Sequence, residues 1–199
     1  TLYGNHKSSN FALYSQLDKV FFEKLTLSAG IRAESYEIDG NREKLRPIVR
    51  TGLNYKLAKA TFIRASFGQG YRFASIAEKF ASTNLGTLKV FPNPNLLSES
   101  GWSAELGIKQ GIKLGKWKGF VDVSGFVNEY QNMNEYTFGF YDTTTFEQKQ
   151  TGSIAEFGAS SRNVTKARIM GIDLSLIGKG RIGNTGLAWY LHLSVAIHG

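Results

Sequence analysis

The residues best suited to contact a small molecule lie together in one stretch, 131–162, which reads QNMNEYTFGFYDTTTFEQKQTGSIAEFGASSR. Tyr136, Phe138, Phe140, Tyr141 and Phe146 crowd five aromatic rings into it, and Arg162 closes it. Aromatic faces stack on sugar rings or aromatic chelators and can hold a cation. The same residues also suit a hairpin that packs on itself, with TFGFY and TTTFEQ pairing as two strands. Catalysis has no comparable foothold. His6, His192 and His198 are too dispersed for a local metal motif. The last two share a strand face but stand about 20 Å apart at ~3.3 Å per residue. There is no GxSxG elbow, no GxxxxGK[ST] phosphate loop and no cysteine. A cysteine nucleophile, a thiolate zinc site and a disulfide scaffold are therefore excluded. The expectation is a protein that is not an enzyme, with no catalytic residue, metal or cofactor.

Those aromatics must be positioned by strands, because alternation of period two dominates the chain. Leu25, Leu27, Ala29, Ile31 and Ala33 alternate with Thr26, Ser28, Gly30, Arg32 and Glu34. The same holds over 47–57, 61–71, 100–109, 120–129, 167–176 and 187–195, and more weakly for Phe11, Leu13 and Leu17. This gives about eight strands and no long helix. Most alternate for about ten residues, the length a bilayer-crossing strand needs (~9–11), whereas soluble strands run ~5–6. The polar face carries Arg32, Arg50, Arg64, Glu105, Asp122 and Asp173 in mid-strand. It is the outside of a soluble sandwich or the wet lumen of a membrane barrel.

The connections favour the barrel. They alternate between short (near 18–24, 57–60, 112–117 and 178–186) and longer (38–46, 74–98 and 131–162), as outer-membrane barrels alternate periplasmic turns with outer loops. Phe21, Phe22, Tyr36, Tyr71, Phe73, Trp117, Phe120 and Tyr130 fall near strand ends, where rings suit the headgroup belt. No apolar run approaches the ~18 residues of a transmembrane helix, a test that barrels escape. The formal charge of +8 is spread through strands without a basic helical stripe, so nucleic acid is not an expected partner. Thr1 is not an initiator Met and a strand pattern runs into the last residues, so the chain reads as a piece of a longer protein.

One segment, SFGQGYRFASIAEKFASTNLGTLKVFPNPNLLSESGWSAELGIKQG from Ser66 to Gly111, resembles the TonB-dependent outer-membrane receptors. Gly70, Tyr71, Arg72, Ser75, Glu78 and Phe80 match the family's strand-end phrase. Asn93, Pro94, Leu96 and Glu99, followed by Glu105 and Gly107, match the phrase that opens the next strand. Ala74 and Ser98 depart from it, each standing where the family commonly has Pro. LTLSAGIRAE at 25–34 and ARIMGIDLSL at 167–176 also look like family strands. Within the motif, SIAEKF suits one short amphipathic turn, and Pro92 and Pro94 bias Phe91 and Asn93 to extended backbone.

The resemblance implies an all-β fold, an antiparallel up-and-down transmembrane β-barrel in which residues 1–199 are about eight contiguous strands of 22. It implies a plug domain, a TonB-engaging segment and final strands lying elsewhere. It also implies a bacterial outer-membrane location and contact with outer-membrane lipid. The function implied is energised uptake of a scarce nutrient: a ferric siderophore, haem, cobalamin or an oligosaccharide. The lumen arginines Arg32, Arg50 and Arg64 would guide an anionic ferric chelate or a phosphate-bearing ligand, or pair with plug acids or with Glu34, Glu105 and Asp122. Two other readings stay open: a small passive pore closed at about eight strands, and a soluble β-sandwich binding module.

Overall fold

The computed structural model describes residues 2–86, 88–182 and 184–198. In chain order it contains β1 (Ser8–Phe21), β2 (Leu25–Ile38), β3 (Asn41–Arg42), β4 (Arg46–Ala58) and β5 (Thr61–Arg72). The helix α1 (Ile76–Phe80), β6 (Thr83–Leu85), β7 (Leu88–Phe91) and β8 (Glu99–Leu114) follow. The chain then runs through β9 (Trp117–Tyr141), β10 (Gln148–Lys149), β11 (Phe157–Ile182) and β12 (Thr185–His198). The eight long strands are the eight that alternation predicts, and each pairs antiparallel with the next long strand. The short connections lie at one end of this meander and the longer ones, 39–45, 73–98 and 142–156, at the other.

Register fixes two faces. Arg32, Arg50, Arg64, Glu105, Asp122 and Asp173 fall on one, together with His192 of β12. The other collects Leu13, Ile31, Leu53, Leu106, Val123, Ile172 and Leu193, and its side chains are largely exposed: Leu13 is 69% and Ile172 61% accessible. A sandwich would cover that face with a second sheet. Here all described strands join one sheet. A small closed barrel would pair β1 with β12, and among the described residues they do not pair. The sheet is open, with one polar face and one apolar face suited to lipid. No helix is long and apolar enough to cross a membrane, which leaves crossing by strands open.

The 131–162 stretch differs from the expected hairpin. TFGFY continues β9 and pairs with the start of β11, so that Phe138 faces Ala159 and Phe140 faces Phe157. TTTFEQ contributes only Gln148, opposite Tyr141, and Asp142 is the reason. Its Oδ1 accepts the N–H groups of Thr144 (2.8 Å) and Thr145 (2.9 Å), an Asx turn that commits the three threonines to a bend. Thus β9 and β11 run 25 and 26 residues, about ten beyond the last pairing of β8 with β9, and rise some ~30 Å past it at ~3.3 Å per residue.

Candidate functional site

The raised β9–β11 hairpin and the 73–98 loop build a crown on the long-loop end. Ser75 and Glu78 start α1 with a reciprocal capping box, as SIAEKF suggests: Glu78 N–H donates to Ser75 Oγ, and Ser75 N–H donates to the Glu78 carboxylate. Burial raises the Glu78 carboxyl, but the bonds from Ser75 and Arg72 outweigh it and hold the group below the usual carboxylate range. The loop then sends β7 alongside β11, parallel, with Lys89 to Phe91 opposite Gly158 to Ser160. Gly158 permits this approach, since a Cβ there would run into the Lys89 carbonyl oxygen. Asn93 Nδ2 donates to the Ser161 carbonyl (2.9 Å), and Asn163 bonds both N–H and C=O of Leu97 (2.8 and 3.0 Å).

This crown holds the core of the described chain. Ala74, Phe91, Leu96, Tyr141 and Ala159 are buried in it, beside Ser98, Ser160 and Ser161. Both positions that depart from the family phrase, Ala74 and Ser98, are among them. Phe91 meets Tyr141 at 5.4 Å between ring centroids.

The six residues nominated as ligand-binding separate into two groups. Tyr141 is 0% accessible and its hydroxyl donates to the Thr137 carbonyl (2.8 Å). The Arg162 guanidinium lies 5.0 Å from the Tyr141 ring, and its Nη2 donates to the Phe146 carbonyl (2.8 Å). These three brace the crown from within. Phe140 packs edge-on against Phe157, while Tyr136 (54%) and Phe138 (64%) stand exposed on the pleat face opposite Tyr141. Of Phe91, Leu96 and Asn163, which hold the crown together, Leu96 falls in the family phrase and Phe91 precedes a proline, whereas Asn163 carries no sequence signal.

The motif residues form a joint below it. Arg72 closes a two-pronged contact with Glu99 (2.8 and 3.0 Å) and reaches Glu78 with Nη1 (2.9 Å). Glu99 also accepts the Asn134 N–H (2.6 Å), so one arginine ties β5, α1, β8 and β9. Gly70 faces Gly101 across the sheet, Tyr71 meets Phe73 edge-on at 5.0 Å, and Pro94 lies by Asn95 on the cleft beside Tyr36 and Lys79. Lower on the polar face, Arg64 bonds Glu105 (2.9 Å) and Asp122. Gly107 leaves room for it: a Cβ there would sit 2.9 Å from Arg64 Cζ. Arg32 pairs with Glu34 (2.8 Å), whereas Arg50 enters no ion pair among the described residues. His6 stacks on Phe80 (3.8 Å) with Nδ1 2.6 Å from Asp39. The Lys7 N–H and His6 hold the Asp39 carboxyl below its ordinary range.

An open antiparallel sheet with one lipid-suited face, a charged opposite face and a crown over one end fits a segment of a large membrane barrel. Residues 1–197 match the family described as TonB dependent receptor-like, beta-barrel, and the chain belongs to that family. It is similar to the siderophore receptor PirA from Pseudomonas aeruginosa, with 17% identity over 96% of this chain and 34% of that one and a TM-score of 0.74. A double mutant of the Serratia marcescens hemophore receptor HasR, in complex with its hemophore HasA and heme, gives 15% identity, 94% and 34% coverage and a TM-score of 0.75. A mutant of the ferric enterobactin receptor PfeA from Pseudomonas aeruginosa gives 17% identity, 96% and 27% coverage and a TM-score of 0.71. No curated protein sequence matches. The chain spans about a third of the length of the first two of these structures. At such identities the likeness shows the fold.

Proposed function

We propose that residues 1–199 are part of the barrel of a TonB-dependent active transporter in a bacterial outer membrane, with crown outward and short turns in the periplasm. The plug domain, the segment that engages TonB and the remaining strands lie outside these residues. The cargo is a scarce, bulky nutrient: a ferric siderophore, haem, cobalamin or an oligosaccharide, with a ferric chelate favoured. One observation carries the reading. Tyr136 and Phe138 stay exposed on a strand pair that runs past the rest of the sheet, above a polar face on which Arg32 and Arg64 are paired with carboxylates. The relatives named above include receptors whose descriptions specify a siderophore, heme or ferric enterobactin.

The test is uptake of iron-labelled enterobactin, and separately of haem, by cells carrying the full-length receptor with and without a functional TonB. Accumulation should require TonB. Replacing Tyr136 and Phe138 together by Ala should weaken binding about tenfold, taking ~0.5–1.5 kcal/mol for each aromatic contact. Accumulation that is indifferent to TonB would favour a passive pore instead.

A further inference from the structure

Three segments on the crown side of the sheet meet at one imidazole. His6 belongs to residues 2–7, which lead into β1; Asp39 stands in the turn between β2 and β3; Phe80 ends α1 in the crown loop. Gly4, at φ +70°, folds the 2–7 segment back against the ring, and a Cβ there would sit 3.2 Å from His6 Nε2. The edge of the ring meets Asp39, with Nδ1 2.6 Å from Oδ2. Its face lies on Phe80, with centroids 3.8 Å apart and planes 13° from parallel. Backbone bonds beside the ring join the same three segments. Lys7 N–H donates to Asp39 Oδ1 (2.9 Å), Asp39 N–H to the Lys7 carbonyl (2.9 Å) and Ser82 N–H to the Leu2 carbonyl (3.0 Å). The His6 side chain is 23% accessible, so the joint is sheltered but open to solvent protons.

Both contacts of the ring are stronger when it is charged. A carboxylate holds an imidazolium as an ion pair and a neutral imidazole only through a hydrogen bond. The negative face of a phenyl ring attracts a cation, whereas two neutral rings disfavour a parallel sandwich. The other charged groups nearby do not oppose this. In the cleft beside Phe80, Glu43 and Lys79 carry opposite signs and Arg42 meets Glu37. Lys7 follows in the chain, and Glu78 of α1 is engaged by Arg72. The Lys7 N–H, then His6, hold the Asp39 carboxyl below its ordinary range. Asp39 is therefore ionised from about pH 5.5 to about pH 8, the interval in which imidazoles as a class change charge. We propose that His6 is a pH-sensitive latch on the crown: protonation fastens the 73–98 loop to residues 2–7 and the β2–β3 turn, and deprotonation lets it open. The closed joint binds the proton more tightly than the open one, so closure grows as pH falls through the imidazole range and weakens as pH rises. The same loop carries β7, which docks on β11, so the latch sets how firmly the raised hairpin is braced.

Hydrogen–deuterium exchange of the full-length receptor in detergent, at about pH 5.5 and about pH 8 with each rate divided by its intrinsic value, tests this. Peptides holding the amides of Lys7, Asp39 and Ser82 should be protected at least about threefold more at the lower pH, the size of one exposed cation–ring contact. Residues 101–112 should be equally protected at both. H6Q should abolish the difference and leave the joint at its looser level throughout. F80L keeps the Asp39 pair and removes the ring, so it should shrink the difference in part. Should H6Q fail to assemble, F80L decides, and an undiminished difference there would overturn the proposal. Equal protection of the three amides at both pH values in the wild type would overturn it too. So would a difference that survives in H6Q, which would assign it to another group.

Discussion

Replacing Arg72 by Gln should loosen the crown without disturbing the sheet beneath it. The change removes the two-pronged contact with Glu99 and the bond to Glu78. Charge-assisted hydrogen bonds are worth ~1.5–3 kcal/mol when sheltered, and exposed ion pairs only ~0.2–1. The Arg72 side chain is 49% accessible and its two partners about 20%, so solvent screening discounts the sum to ~1–2 kcal/mol. The Ser75 cap and the Asn134 bond to Glu99 survive, so α1 persists and the loop opens more often. A cost of one or two kcal/mol raises an open population about 5- to 30-fold. Hydrogen–deuterium exchange of the full-length receptor in detergent reads this directly. Amides of 76–98 should exchange faster by that factor, with 61–70 and 101–112 unchanged. R72K should fall between, since it keeps the charge and loses the planar fork. Unchanged exchange in 76–98, or equal acceleration through β5 and β8, would refute the joint assigned to Arg72.

Three further outcomes follow from the crown. G158A should detach β7 from β11, because the added Cβ meets the Lys89 carbonyl; protease cutting within 83–92 should rise while the barrel still assembles. N163A should strip Leu97 of its N–H and C=O partners and expose the same segment at a cost of ~0.5–1.5 kcal/mol, because water can replace the exposed partners; a protease pattern identical to wild type would count against that anchoring. Lys149 first, then the Ser153 N–H and hydroxyl, hold the Glu156 carboxyl down to about 2, below its ordinary 4.5. A group depressed on folding contributes stability that is fully present above the ordinary value and lost as pH falls toward the depressed one. The 149–156 turn should therefore keep this contribution in full above pH 4.5 and lose it progressively as pH falls toward 2. A carbon-detected titration of Glu156 with an inflection near 4.5 would contradict the Lys149 contact.

Alternation made the eight long strands legible because a half-buried strand writes its two faces into the sequence; Leu25 to Glu34 and Leu187 to Val195 are clear cases. The capping box of α1 was equally local, needing only Ser75 and Glu78 three residues apart. The crown was not legible, because its contacts join residues far apart in sequence. Nothing near Asn163 announces Leu97, and nothing near Gly158 announces Lys89. Tyr141 and Phe138 look alike as aromatics in one segment. The pleat turns one inward under Arg162 and leaves the other exposed, a distinction that depends on where β7 docks. The short reach of the TTTFEQ pairing hung on a single Asx turn at Asp142, a choice that strand periodicity does not weigh.

The central claim is that the odd-numbered face of β2 and β4 meets lipid while the even-numbered face meets water. Single cysteines placed at Leu53 and Asn54, and again at Ile31 and Arg32, test it in the full-length receptor in native outer membranes, with an aqueous maleimide and a lipid-phase quencher as reporters. The account predicts slow aqueous labelling and strong lipid-phase quenching at 31 and 53, with the reverse at 32 and 54. Equal aqueous labelling on both faces would contradict a membrane barrel.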